Sequence, residues 1–176
     1  MATGGRKLNV EDVPVQSMCS DYIVFDKPYD CRLDGESEEA TVERAARYAD
    51  PKLDKIRFCH QLDYATSGVL VLGRTKQACK VASQCFQQRT AIKHYLAVGH
   101  GHCDRVGPFL IDHAVDTIEG DFRMRLVTST SGFGKHGGLA TTVAFCVANA
   151  AYNQRPVCVF LLRPRTGRRH QLRPSG

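Results

Sequence analysis

The chain has 176 residues, 43% of them hydrophobic, enough for one packed core and one domain by length. No run approaches the roughly 20 consecutive apolar residues of a membrane-spanning helix, and residues 1–7 lack an apolar signal region, so a membrane or secreted protein is not expected. The net charge of +6 is uneven: residues 122–176 carry nine Lys or Arg and no Asp or Glu, a pattern that suits a polyanionic partner because cations placed near phosphates release condensed counterions. The plain alternative is a solvated basic face.

Residues 1–20 are polar and irregular and are expected to be loose. Tyr22-Ile23-Val24-Phe25 reads as a strand ending at Asp26-Lys27-Pro28, where Pro removes a ladder donor. Residues 38–49, rich in Ala, Glu and Arg, predict a helix that stops before Asp50-Pro51. Val69-Leu70-Val71-Leu72 is a continuous apolar strand, expected to be buried on both faces. Residues 76–88 predict an amphipathic helix with Val81, Ala82, Cys85 and Phe86 as its apolar stripe. Residues 94–98 predict a strand and residues 99–139 are loop-rich, with Gly132, Gly134, Gly137 and Gly138 as punctuation. Residues 141–148 and 156–162 read as strands paired across a turn. Strands outnumber helices without strict alternation, so the expected class is α+β, with a mixed, mainly antiparallel sheet and flanking helices.

The eight cysteines contain no Cys-x-x-Cys pair, which removes zinc-ribbon and thioredoxin-type readings. Cys85, Cys146 and Cys158 sit in apolar segments, where cysteine acts as a small hydrophobe. A reducing compartment is expected, the cytoplasm first, with mitochondrion and nucleus as alternatives.

Three blocks carry the chemistry. The first is His60-Gln61-Leu62-Asp63-Tyr64-Ala65-Thr66-Ser67-Gly68, which sets one carboxylate between an apolar stretch and a polar turn. On its own this Asp is better explained by turn capping beside Thr66 and Ser67. The second is Lys93-His94-Tyr95-Leu96-Ala97-Val98, and the third runs from Arg163 through Thr166-Gly167-Arg168-Arg169-His170-Gln171-Leu172-Arg173.

These blocks, in this order, resemble the RluA-type RNA pseudouridine synthase family, whose pattern is roughly His-Arg-Leu-Asp-x-x-Thr-Ser-Gly, then Lys-x-Tyr, then Thr-Gly-Arg-x-His-Gln-Leu-Arg. Asp26-Lys27-Pro28 is similar to an early Asn-Lys-Pro turn of the family, and Phe86 and Arg89 stand where it carries a Phe and a basic turn. The match covers about residues 21–173, so residues 21–176 are expected to form the catalytic domain. The resemblance implies isomerisation of uridine in RNA: the bond from ribose to uracil nitrogen breaks, the base turns, and it rejoins through carbon five. It implies no cofactor and no metal, in keeping with a sequence that has neither phosphate-loop glycines nor metal-ligand spacing. RNA is the implied partner; a monomer is favoured.

Residue by residue, the resemblance makes Asp63 the nucleophile, attacking ribose or base or removing a ribose proton, with Arg173 as the cation that a carboxylate in a water-poor pocket needs. It places Tyr95 against the uracil, its hydroxyl assisting proton removal from carbon five; a core strand Tyr is the alternative. Lys93 lies on the same face by two-residue alternation and contacts phosphate or is merely solvated. His60, Gln61, Thr66, Ser67, Arg168, Arg169, His170 and Gln171 are the implied RNA contacts, His60 being the one with the stronger structural alternative. Gln61 departs from the family pattern: it stands where an Arg fills the space of the flipped-out uridine, and lacks a guanidinium plane. The family continues past the position of Arg173 with a helix and strands, so this chain is expected to be truncated relative to it. A non-catalytic RNA-binding derivative is therefore the second reading. The third is a hydrolase using Ser67 or Cys59 with His170, for which no Gly-x-Ser-x-Gly elbow is present.

Overall fold

The computed structural model describes residues 7–117, 124–127, 137–168 and 170–172. It forms two compact units, Met1–Thr90 and Ala91–Gly176.

In the first unit a 3-10 turn at Val10–Asp12 leads into β1 (Val15–Met18), which pairs antiparallel with β2 (Tyr22–Lys27). These residues, expected to be loose, are ordered: Val13 is buried, Leu8 and Val10 pack on the core, and Ala40 N–H donates to Leu8 O at 2.8 Å. A few apolar side chains in a polar stretch supply the area to bury, which an averaged reading hides. β2 is central, flanked on its other side by β3 (Gly68–Gly73), also antiparallel. Ile23 faces Leu72 and Phe25 faces Leu70, all four fully buried.

Burial of β3 is one-sided, not two-sided as expected: Leu70 and Leu72 point inward while Val69 is exposed. The core that takes them, with Val42, Ala45 and Ala46 of α1 (Val42–Ala49), lies against one face only. α1 starts later than residue 38 because Thr41 is extended and its Oγ1 accepts the Arg44 N–H at 3.2 Å, an N-cap that fixes the first turn. α2 (Lys76–Gln87) begins the same way, at Thr75. Its inward face is shifted from the expected stripe: Val81 and Cys85 are exposed, whereas Ala78, Cys79, Ala82, Ser83 and Phe86 are buried or half-buried. Close approach to β3 at Gly73, where a Cβ would meet the Cys79 backbone nitrogen at 2.6 Å, sets that rotation.

The second unit is a five-stranded antiparallel sheet in the order β4-β8-β7-β5-β6, from β4 (Tyr95–His100), β5 (Pro108–Thr117), β6 (Met124–Val127), β7 (Gly138–Tyr152) and β8 (Arg155–Pro164). The expected pairing of the last two strands is present and longer, closed by Asn153-Gln154, both at positive φ (48° and 62°) as a two-residue hairpin with this twist requires. A bulge between Cys146 and Ala148 interrupts β7. β5 and β6 fall in the stretch read as loop. β5 has no clean alternation, and its eight-residue register with β7 supplies what local pattern does not. The fold is α+β as expected. Among the described residues every strand pair is antiparallel; Arg32 and Thr41 form an isolated parallel bridge.

Candidate active site

The segment carrying Asp63 starts as a short extension of the three-stranded sheet. Gly73 N–H donates to Arg57 O at 2.9 Å, Phe58 bridges Leu72, and Cys59 N–H donates to Val71 O at 3.1 Å. The chain then leaves the sheet. His60 Nε2 accepts the Val71 N–H at 3.1 Å, and its ring stacks on Phe86 of α2 at 4.3 Å between centroids and 25° between planes. Asp63 is half-buried and opens a turn in which its carbonyl accepts the Thr66 N–H at 3.0 Å. Gly68, at φ +123°, returns the chain into β3 through a conformation that side chains disfavour. Gln61 and Ser67 are exposed and Thr66 is half-buried.

Lys27, which the sequence shows only as part of the Asp26-Lys27-Pro28 turn, supports this segment directly. Its side chain is fully buried at the end of β2, and Nζ donates to Pro28 O at 2.9 Å and to Tyr64 O at 3.0 Å. Tyr64 follows Asp63, so a buried ammonium holds the peptide next to the carboxylate. The sequence held a signal: period-two alternation puts Lys27 on the same inward face as Ile23 and Phe25. A lysine is placed there only if its charge is satisfied internally.

In the second unit Tyr95 opens β4, half-buried and opposite Leu162 of β8. Lys93, also half-buried, reaches the third block: its Nζ lies 3.9 Å from where a Cβ on Gly167 would stand. Past β8 the chain folds back over the start of β7. Thr166 Oγ1 accepts the Thr141 N–H at 2.8 Å and donates to Gln171 Oε1 at 2.7 Å. Gln171 Oε1 also accepts the Arg168 N–H at 3.1 Å, and its Nε2 donates to Thr141 O at 3.1 Å and Thr142 Oγ1 at 2.9 Å. All four hydrogen-bonding positions of this amide are engaged inside the protein. Gln171, expected to contact RNA, thus ties the Thr166–Gln171 turn to β7. Arg168 is exposed, with Nε donating to Leu139 O at 3.3 Å and its guanidinium over Gly138. His170 is half-buried at φ 49°. Arg169 and Arg173 lie outside the described residues.

The structure therefore gathers Lys27, His60 and Asp63 in the first unit, and Lys93, Tyr95 and the Thr166–Gln171 turn in the second. A hollow of about 450 Å³, lined by residues 103–107 and 145–149, contains none of them. Burial, reinforced by the neighbouring Cys79 thiol, pushes the Cys59 thiol up to about 12. Cys59 is also buried, so nothing at this position favours the hydrolase reading. Among the described residues no group of three or more His, Cys, Asp or Glu could hold a metal ion.

The sequence matches the family model for RNA pseudouridylate synthase over residues 21–175, and the chain belongs to that family. It is 33% identical over 175 residues to the human RNA pseudouridylate synthase domain-containing protein 1, covering 94% of this chain and 55% of that protein. It is 33% identical over 123 residues to the Salmonella typhi tRNA pseudouridine synthase C, covering 65% of this chain and 44% of that enzyme. A solved structure of human RNA pseudouridylate synthase domain containing 1 superimposes with a TM-score of 0.80 at 32% identity, over 96% of this chain and 66% of that one. The chain spans about half the length of the curated relatives it matches.

Proposed function

We propose that the protein isomerises uridine to pseudouridine in RNA, with Asp63 as the reacting carboxylate. The observation that carries this reading is the bracing of the Asp63 segment: a half-buried acid with the buried ammonium of Lys27 on the Tyr64 carbonyl after it and, three residues before it, the His60 imidazole tied to the Val71 N–H of β3. A mere turn cap needs no such support. A nucleophile that must meet a ribose or uracil carbon within a few tenths of an ångström does.

In the reaction the ribose–N1 bond breaks, the uracil turns while held, and carbon five bonds to the same ribose carbon. Carbon five gives up its proton and N1, freed from the ribose, takes one up from solvent, so the product is an isomer and no electrons are exchanged. Tyr95 is the group proposed to stack on the base and assist that proton transfer. Arg173 is proposed to pair with Asp63. Lys93, Arg168 and Arg169 are the proposed phosphate contacts, with Gln61, Thr66, Ser67 and His170 nearer the flipped nucleotide. The cysteine usage supports work in a reducing compartment, the cytoplasm first, with mitochondrion and nucleus as alternatives.

The test is tritium release from RNA labelled at carbon five of uridine, comparing wild type with Asp63→Asn. Release by wild type and not by the variant, with both binding RNA in a salt-dependent manner, is expected. Salt-sensitive binding without release by a well-folded wild type would instead support the non-catalytic RNA-binding derivative.

A further inference from the structure

His60 stands at the point where the chain peels away from the sheet, and the hydrogen bonds there depart from an ordinary ladder. In an antiparallel hydrogen-bonded pair, two facing residues exchange both N–H···O bonds. Cys59 and Val71 make only one of them, Cys59 N–H to Val71 O. The return bond is replaced at both ends. The Val71 N–H goes to His60 Nε2 at 3.1 Å, and the Cys59 carbonyl accepts from Ser83 Oγ of α2 at 3.2 Å. A backbone N–H can only donate, so Nε2 is unprotonated and the ring carries its proton on Nδ1.

The same face of α2 grips the residues on either side. Cys79, Ser83 and Phe86, spaced four and three apart, lie above one another on the helix. Cys79 Sγ donates to Phe58 O at 3.6 Å, Ser83 Oγ to Cys59 O, and Phe86 stacks on the His60 ring. Three consecutive residues of the segment thus meet successive positions of one helix, and Asp63 follows three residues later.

Resting on the uridine-isomerising reading above, we infer that His60 is a positioning residue: a neutral imidazole pin that fixes Asp63 by tying its segment to β3 and α2. Its Nε2 and one ring face are already engaged within the protein. It lets the chain leave the sheet without orphaning the Val71 N–H, so the carboxylate is aimed from a fixed point instead of from a free loop. Ser83 and Phe86 belong to the same device.

Two substitutions separate the pin from an RNA contact. His60→Gln puts an amide oxygen where Nε2 stood and keeps an acceptor for Val71. His60→Phe keeps a ring on Phe86 and removes the acceptor. The expected result is that His60→Gln restores most of kcat while His60→Phe loses ten- to hundredfold in kcat at nearly unchanged KM for RNA, the scale for a misplaced reacting group. Backbone amide exchange at Val71, followed alongside, is expected to be slow in wild type and His60→Gln and faster in His60→Phe. Full turnover by His60→Phe beside an active wild type would overturn the pin. So would a rise in KM or loss of kcat in a well-folded His60→Gln, which would show that the imidazole itself serves the RNA or the chemistry; this arm decides even if the Phe variant fails to fold. No turnover by wild type would overturn the isomerase reading itself, and with it any catalytic role for the pin.

Discussion

Replacing Lys27 with Met removes the ammonium from the end of β2 while keeping most of the side-chain volume. Two hydrogen bonds disappear, to Pro28 O at 2.9 Å and Tyr64 O at 3.0 Å, and both acceptors lose a charged donor. Bonds of that kind contribute about 1.5–3 kcal/mol each. Part of this is offset because a fully buried charge no longer has to be desolvated. A net loss of about 2–4 kcal/mol remains, or about 6–12 °C in Tm for a chain of this length. The assay is thermal unfolding followed by circular dichroism, paired with tritium release at a temperature where the variant is folded. Turnover is expected to fall more than stability alone accounts for, because Tyr64 adjoins Asp63. A Lys27→Met variant within about 1 kcal/mol of wild type and within twofold of its activity would refute the bracing of Asp63 by this ammonium.

Gln171→Leu, measured by urea unfolding, is expected to cost about 2–4 kcal/mol, since four hydrogen bonds to Thr141, Thr142, Thr166 and Arg168 are lost together; an effect confined to RNA affinity would return Gln171 to the substrate surface. Gly73→Ala is expected to lower the melting temperature sharply, because the new Cβ meets Cys79 backbone nitrogen at 2.6 Å and Cα at 2.7 Å, atoms that cannot move without shifting α2. Cys59 resists ionisation in the fold up to about 12, against an ordinary 9.0, so its contribution is fully present below pH 9 and is lost as pH rises from 9 toward 12. Cys59→Ala is expected to flatten that alkaline decline in denaturant midpoints. Asp54, held down to about 2 by hydrogen bonds from Arg57 and the Lys55 N–H, works with the opposite sign. Its contribution is present above pH 3.8 and is lost as pH falls toward 2, so Asp54→Asn is expected to show a shallower acid decline.

The sequence by itself determined the family, the antiparallel α+β class and the place of Asp63, because each is written in contiguous residues: block one around Asp63, block three from Thr166, and apolar runs such as residues 22–25 and 69–72. Those signals are local, and local signals survive reading along a line. The tertiary structure decided which side chains look outward. It made Gln171 a fully engaged internal amide, turned α2 so that Ser83 and Phe86 face the Asp63 segment while Val81 and Cys85 face solvent, and buried Lys27 against the Tyr64 carbonyl. It also formed β5, whose irregular sequence becomes a strand through its registers with β7 and β6. In each case the deciding contact joins residues far apart in the chain. Whether a polar group serves RNA or the protein depends on what lies within about 3 Å of it, which spacing along the sequence does not fix.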